Sequence, residues 1–300
     1  MKLLTFSTKA LPVPRLGVMR GEDIVDIESA AIVAGMALAF DPRDMLSLID
    51  CGEPGLKQVR KLLASYESGT SEPAEVYFHA PILRPRKNVF CVGWNYVEHF
   101  IEGEQVRKTG EDMPSHPTFF TKAPTAVNGP FDDVACDPAL SKRFDWEVEL
   151  GVIIGKNGKN ITEENAMDHV FGYTIINDIS VRDAQRAHGG QWFKGKSFDG
   201  TCPMGPYLVT KDKVDLNDLR LVCRVNDVVK QNSSAIQMYF SIPRLIFELS
   251  WGMTLEAGDI LSTGTPPGVG FARNPPEYLQ PGDVVETEIE GLGLMRNKMV

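Results

Sequence analysis

Residues 145–154 read DWEVELGVII, and the first half alternates. In an extended chain Trp146, Val148 and Leu150 fall on one face, and Asp145, Glu147 and Glu149 on the other. The second half, GVII, is continuously apolar, as in a strand that enters a core on both faces. Glu147 and Glu149 on one strand face lie ~7 Å apart and repel, which raises the pKa of each unless a cation neutralises them. A hard divalent ion is the economical explanation; a solvated acidic edge is the alternative for an isolated ExE.

Working outward, residues 172–181 (GYTIINDISV) form a second apolar strand, interrupted by Asn177 and Asp178. A buried carboxylate is rare unless it is paired or on a metal. Asp178 supplies a third oxygen ligand, and three carboxylates suit Mg or Mn; zinc is disfavoured because no His or Cys joins the set. The alternative is an Asp held by backbone or by Arg182. Residues 93–103 (GWNYVEHFIEG) read as a strand end followed by a short helix, with His99 and Glu102 at i and i+3 on one helical face. A carboxylate that orients an imidazole makes a general base able to activate water. A surface His beside a Glu is the competing reading.

Composition narrows the function. The 300 residues are 43% hydrophobic and 24% charged, an ordinary globular balance that excludes disordered, collagenous and coiled-coil chains. Net charge of −9 repels nucleic acid and anionic lipid, so neither is expected as a partner. The longest uncharged apolar stretch, residues 30–40, falls short of the ~20 residues that span a bilayer. No signal-peptide core follows the start, and a cytoplasmic location is expected. The five cysteines are scattered without a CxxC pair, which fits neither a disulfide framework nor a zinc ribbon.

Strand patterns occupy 2–6, 16–20 and 23–27, with Gly21 and Glu22 turning the last two into a hairpin, and helical patterns occupy 41–49 and 54–66. The stretch 67–73 has linker composition, which sets a small N-terminal α+β domain at 1–80 and a second domain at 81–300. The latter is strand-rich, with candidates at 88–93, 118–121, 146–155 and 170–180. A hairpin follows at 219–231 about Asn226 and Asp227, and a helix is capped by Ser241, with Leu245, Ile246, Leu249 and Trp251 on its apolar face. Strands resume at 259–262, 283–289 and 293–299. The charged segment between Glu102 and Thr118, with Gly103 and Gly110 as hinges, is a candidate lid that offers Arg107, Lys108 or His116 to a ligand.

Taken in order, the motifs GWNYVEH (93–99), FFTKAPTA (119–126), DWEVELGVIIG (145–155), NDISVRDAQ (177–185), KSFDGTCPMGP (196–206), SIPRLI (241–246) and GDILSTGTPPGVG (258–270) resemble the fumarylacetoacetate hydrolase family, in particular its acylpyruvate hydrolase-like and 2-hydroxyhepta-2,4-diene-1,7-dioate isomerase-like branch. The resemblance spans roughly 85–300. It implies a mixed α/β, strand-rich β-roll, usually a homodimer, with Glu147, Glu149 and Asp178 holding Mg or Mn. It further implies that His99 and Glu102 activate water, that Lys196 stabilises the enolate, and that Arg182, Gln185 and Thr265 bind substrate. The implied activity is hydrolysis of a C–C bond in a 2,4-dioxo acid to pyruvate and a carboxylic acid, in aromatic or 2-oxo acid catabolism. Decarboxylation of oxaloacetate-like acids, isomerisation or hydration of 2-oxo dienoic acids, and a non-catalytic metal-binding protein on the same scaffold are the alternatives.

Overall fold

A computed structural model of the protein describes residues 1–65 and 76–300; the linker reading at 67–73 lies outside the described residues. Among the described residues an 11-stranded mixed sheet carries the architecture. Nine strands form its path, Asp23–Asp26, Arg15–Arg20, Lys2–Thr8, Cys202–Thr210, Val170–Asn177, Val148–Ile154, Ile260–Ser262, Val89–Gly93 and Thr118–Lys122; off the path, Val76–His79 pairs with Lys2–Thr8 and Val127–Asn128 with Cys202–Thr210. A four-stranded antiparallel sheet, Val228–Ser234, Arg220–Val225, Val284–Ile289 and Gly293–Lys298, packs against one face. The mixed, strand-rich α/β class expected from the sequence is the observed one. No helix among the described residues is long and apolar enough to cross a membrane.

The strand Val148–Ile154 sits in the middle of the large sheet, and all seven of its residues are buried. Val148, Leu150, Val152 and Ile154 pack with Leu221, Cys223, Val285 and Met295 of the smaller sheet. On the opposite face Ile153 joins Leu3, Leu16, Val18, Phe171 and Leu208. Gly151 on that face makes room for its neighbours, since a Cβ there would meet Ile176 Cδ1 at 2.8 Å and Thr174 Cγ2 at 2.9 Å. Two cores therefore constrain one strand, and its acidic end has no route to solvent except through a cavity.

Segment 1–80 adds to this sheet: Lys2 pairs with Val209 and Leu3 with Leu208. Its hairpin turns at Gly21, where φ is +63°, and Arg20 pairs with Asp23 as the spacing predicts. The strand reading of 23–27 overruns by one residue, because the Asp26 carboxylate accepts from the amides of Glu28 and Ser29 and caps a helix at Ile27–Val33 that the apolar run had concealed. The helix read at 41–49 starts at Met45, where Asp44 rather than Asp41 is the cap. Asn226 and Asp227 both adopt positive φ, +49° and +64°, as a two-residue hairpin requires. Ser241 caps Ile242–Ser250 and Leu245, Ile246 and Leu249 face the core, but the chain leaves the helix at Trp251, which is 76% exposed.

Candidate active site

The three carboxylates converge because strand pairing ends beside them. Ile176 pairs with Glu149 and Asn177 with Val148, after which Asp178 N donates to Glu147 O at 2.9 Å. One oxygen from each of Glu147, Glu149 and Asp178 lies within 4.8 Å of the others, and all three residues are buried. The strand pattern breaks at Trp146 and Glu147, which removes Asp145 from the cluster. Asp145 instead accepts from the amides of Gly270 (2.6 Å) and Phe271 (3.0 Å) and from Arg182 Nε (2.8 Å).

Buried cations compensate most of this charge. Lys196 Nζ bridges Glu147 Oε2 (2.6 Å) and Asp178 Oδ2 (2.7 Å). Arg182 Nη2 donates to Glu147 Oε1 (2.6 Å), and Lys122 Nζ to Asp178 Oδ1 (2.7 Å). Four carboxylates thus meet three cations, and Glu149 is the one with no ion pair. It accepts from Ser262 Oγ (2.5 Å) and Gly264 N (3.0 Å). Burial, followed by the charges of Asp178 and Glu147, raises the Glu149 pKa well above the usual carboxylate value. Burial works the same way on Glu147, but Lys196 and Arg182 outweigh it and hold that carboxyl far below its ordinary range. A buried, all-oxygen donor set with one uncompensated negative charge fits a hard divalent cation such as Mg or Mn.

The opposite shifts predict an unusual pH response of the metal-free protein. Glu149 binds its proton more tightly folded than unfolded, so its stabilisation is complete at low pH and is lost as pH rises from the ordinary carboxylate range toward its raised folded value. Glu147 has the reverse sign and loses its contribution only on acidification below that range. In chelator, melting temperature should fall as pH rises above the ordinary carboxylate range. Glu149→Gln should flatten that fall, and an unchanged slope in the variant would refute the assignment.

Lys122 is the component that sequence reading missed, although it lies within the quoted FFTKAPTA. On an alternating strand a lysine reads as solvent-facing; here it is fully buried and also donates to Ile179 O at 3.1 Å. Lys122→Met removes one partner of a buried ion pair and should cost about 3–5 kcal/mol in chemical denaturation. Stability within 1 kcal/mol of the parent would show the pair to be dispensable.

A cavity of about 230 Å³ opens on the cluster, with His99, Glu147, Glu149, Arg182, Gln185, Lys196 and Thr265 in its wall. Of the anticipated site residues, Asp178 and Glu102 stand behind this wall. His99 Nδ1 pairs with Glu102 Oε1 at 2.8 Å, and Glu102 is fixed by the amide of Gly268 at 2.9 and 3.1 Å. Gly268, in the GTPPG loop, has φ +106°, and a Cβ there would lie 2.1 Å from Lys230 O, so only glycine brings that amide to Glu102. Gln185 Oε1 accepts from Arg182 Nη1 at 3.2 Å. Thr265 Oγ1 donates to Val148 O (3.0 Å) and accepts from Gln231 Nε2 (2.8 Å), which commits its single proton to the protein.

The segment beyond Glu102 is partly helical. Val97–Arg107 is one helix that runs through Gly103, which is therefore not a hinge. Arg107 lines the cavity, whereas Lys108 does not, and His116 pairs with Glu248 at 2.9 Å. Trp94, Phe120, Trp192 and Phe271 form the apolar part of the wall.

A strand-rich scaffold that holds a buried acidic triad, a lysine and a His–Glu pair around one cavity defines an enzyme-like site. The chain belongs to the fumarylacetoacetate hydrolase family: the family model described as fumarylacetoacetate (FAA) hydrolase C-terminal matches residues 88–300. It is 42% identical over 307 residues to oxaloacetate tautomerase FAHD2A, mitochondrial, of Bos taurus, across 100% of this chain and 92% of the relative. It is 49% identical over 228 residues to oxaloacetate tautomerase YisK of Bacillus subtilis (strain 168), across 75% of this chain and 74% of the relative. Among solved structures, maleylpyruvate hydrolase from Sphingobium sp. SYK-6 in complex with manganese(II) ion and pyruvate superposes with a TM-score of 0.77 at 30% identity, covering 100% of this chain and 99% of that one.

Proposed function

We propose that the protein carries out enolate chemistry on a 2-oxo acid, foremost the keto–enol tautomerisation of an oxaloacetate-type diacid. The observation that carries this reading is one cavity wall that presents Glu147, Glu149, Lys196 and His99 together. Similarity to oxaloacetate tautomerases over the whole chain supports the choice among enolate reactions. Glu147, Glu149 and Asp178 would hold Mg or Mn, which supplies Lewis-acid polarisation of the oxo group.

The protein's own residues supply the proton transfer. Glu102 accepts from Nδ1–H of His99, which leaves Nε2 as the nitrogen able to take a proton. That nitrogen removes a proton from C3 as the C2–C3 double bond forms and negative charge gathers on the 2-oxo oxygen. Delivery of the proton to that oxygen completes the enol. Lys196 is kept protonated because Asp178 and Glu147 outweigh its burial, and its charge balances the enolate.

C–C hydrolysis of a 2,4-dioxo acid, the first expectation from sequence, stands as the second reading. The oriented His99–Glu102 pair favours it, because the same base can activate water, and a manganese-bound hydrolase is among the structural relatives. Decarboxylation of oxaloacetate shares the enolate. Ultraviolet assays of the enol–keto equilibration of oxaloacetate, run beside pyruvate release from a panel of acylpyruvates in Mg or Mn, separate these reactions. Acceleration of the first that chelator abolishes is expected. Pyruvate release without tautomerisation would give hydrolysis the leading place, and neither activity alongside tight metal binding would leave a non-catalytic protein.

A further inference from the structure

The helix that presents His99 ends, two turns later, in a charge the chemistry above does not use. The Arg107 guanidinium folds back over its own helix: a Cβ on Gly103 would lie 3.6 Å from Arg107 Nη2 and 3.6 Å from Phe271 Cζ. Its centre lies 4.5 Å from the Trp94 ring and 5.3 Å from that of Phe100. Trp94 holds its face there from a left-handed backbone, φ +55°, a strained position for a residue with a side chain. Neither ring offers the guanidinium N–H groups a carboxylate or carbonyl acceptor.

Those N–H groups are short of partners. Arg107 Nε and Nη2 are buried and have no hydrogen-bond acceptor. Glu104 Oε2 is 3.5 Å from Nη2, but Thr109 Oγ1 (2.8 Å) and Gly110 N (2.6 Å) already engage the two Glu104 oxygens. Nε and Nη2 form one edge of the guanidinium, the fork that receives both oxygens of a carboxylate. A buried charged donor without an acceptor costs more than the ~1–3 kcal/mol of a neutral one, a cost removed only when an acceptor arrives. Arg186 and Glu111 also line the cavity, but both are exposed.

We infer that Arg107 is the specificity residue that receives the distal carboxylate of the substrate, so that the site selects 2-oxo diacids over 2-oxo monoacids. The inference deepens the 2-oxo acid reading and rests on it. Oxaloacetate and 2-oxobutanoate, each of four carbons, differ in whether the far end carries a carboxylate. Their affinities for the manganese-loaded enzyme can be read from quenching of tryptophan fluorescence, since Trp94 and Trp192 line the cavity.

The parent should bind oxaloacetate at least tenfold more tightly than 2-oxobutanoate. Arg107→Met should weaken oxaloacetate by roughly 10- to 100-fold, the value of a charged hydrogen-bonded fork, and leave 2-oxobutanoate within about twofold. In turnover the loss should fall on KM for oxaloacetate more than on kcat. Arg107→Lys retains charge without the two-donor edge and should recover part of the affinity, which keeps the test decisive if the Met variant folds poorly. Equal weakening of both acids would make Arg107 a structural prop of its helix and overturn the inference. A parent that binds both acids equally would overturn it while sparing the 2-oxo acid reading. A parent that binds neither would overturn both.

Discussion

Glu149→Ala should abolish divalent-ion uptake while leaving the protein folded. Among the three candidate ligands this substitution is the cleanest, because Glu149 is the carboxylate without an ion pair. Its removal leaves no buried cation stranded and relieves repulsion with Asp178 and Glu147, at the cost of the hydrogen bonds from Ser262 and Gly264. Glu147→Ala instead deprives Arg182 and Lys196 of a partner, and Asp178→Ala does the same to Lys122, so loss of metal there is confounded with loss of structure. Calorimetric titration with manganese measures the outcome. Losing a direct ligand should cost more than the ~10–100-fold that outer positions cost in metal sites. Parent-like manganese affinity in Glu149→Ala would remove the metal assignment.

His99→Ala should lower kcat by ~100- to ~10,000-fold, the range for loss of a positioned general base, with manganese affinity unchanged. Glu102→Gln should fall between parent and His99→Ala, because the Gly268 amide still holds position 102 while the imidazole loses its charged orienting partner. Any oxaloacetate decarboxylation should survive His99→Ala far better, since it needs metal chelation and enolate stabilisation rather than proton abstraction from carbon or water. Stopped-flow tautomerisation and coupled pyruvate assays on the same preparations report both. Rates within a few-fold of the parent would mean that His99 is not the base.

Features set by neighbours in the chain were legible from sequence. Alternation followed by GVII identified a strand with two buried faces, Asn226–Asp227 identified a hairpin, and Ser241 a helix start. The acidic triad could be read because two of its members share a strand end and the third interrupts an apolar run. What escaped was pairing between distant segments. Arg182 has Asp183 as its neighbour in the chain, yet Asp183 accepts from Ser141 Oγ and Arg182 reaches back to Asp145 and Glu147. Asp145 looked equivalent to Glu147 until a two-residue break turned it away. The burial of Lys122 is a property of the assembled sheet, which period-2 reasoning about Thr118–Lys122 cannot supply. The helix Ile27–Val33 was masked for a different reason: its β-branched residues carry no strong helical preference, and one capping carboxylate decides it.

The doubly buried strand has a bearing on how such a protein diversifies. A substitution within Val148–Ile154 must satisfy two packing environments at once, and one beside it at Glu147 must also respect two ion pairs. The far wall of the cavity is built differently, from the last turn of one helix and from the exposed residues Glu111 and Arg186. Sequence drift is cheap there and dear at the strand. Descendants of this scaffold are thus expected to keep the electrophilic centre and exchange the group that reads the remote end of the substrate, so that new substrates arise by editing a few rim positions rather than by rebuilding the chemistry.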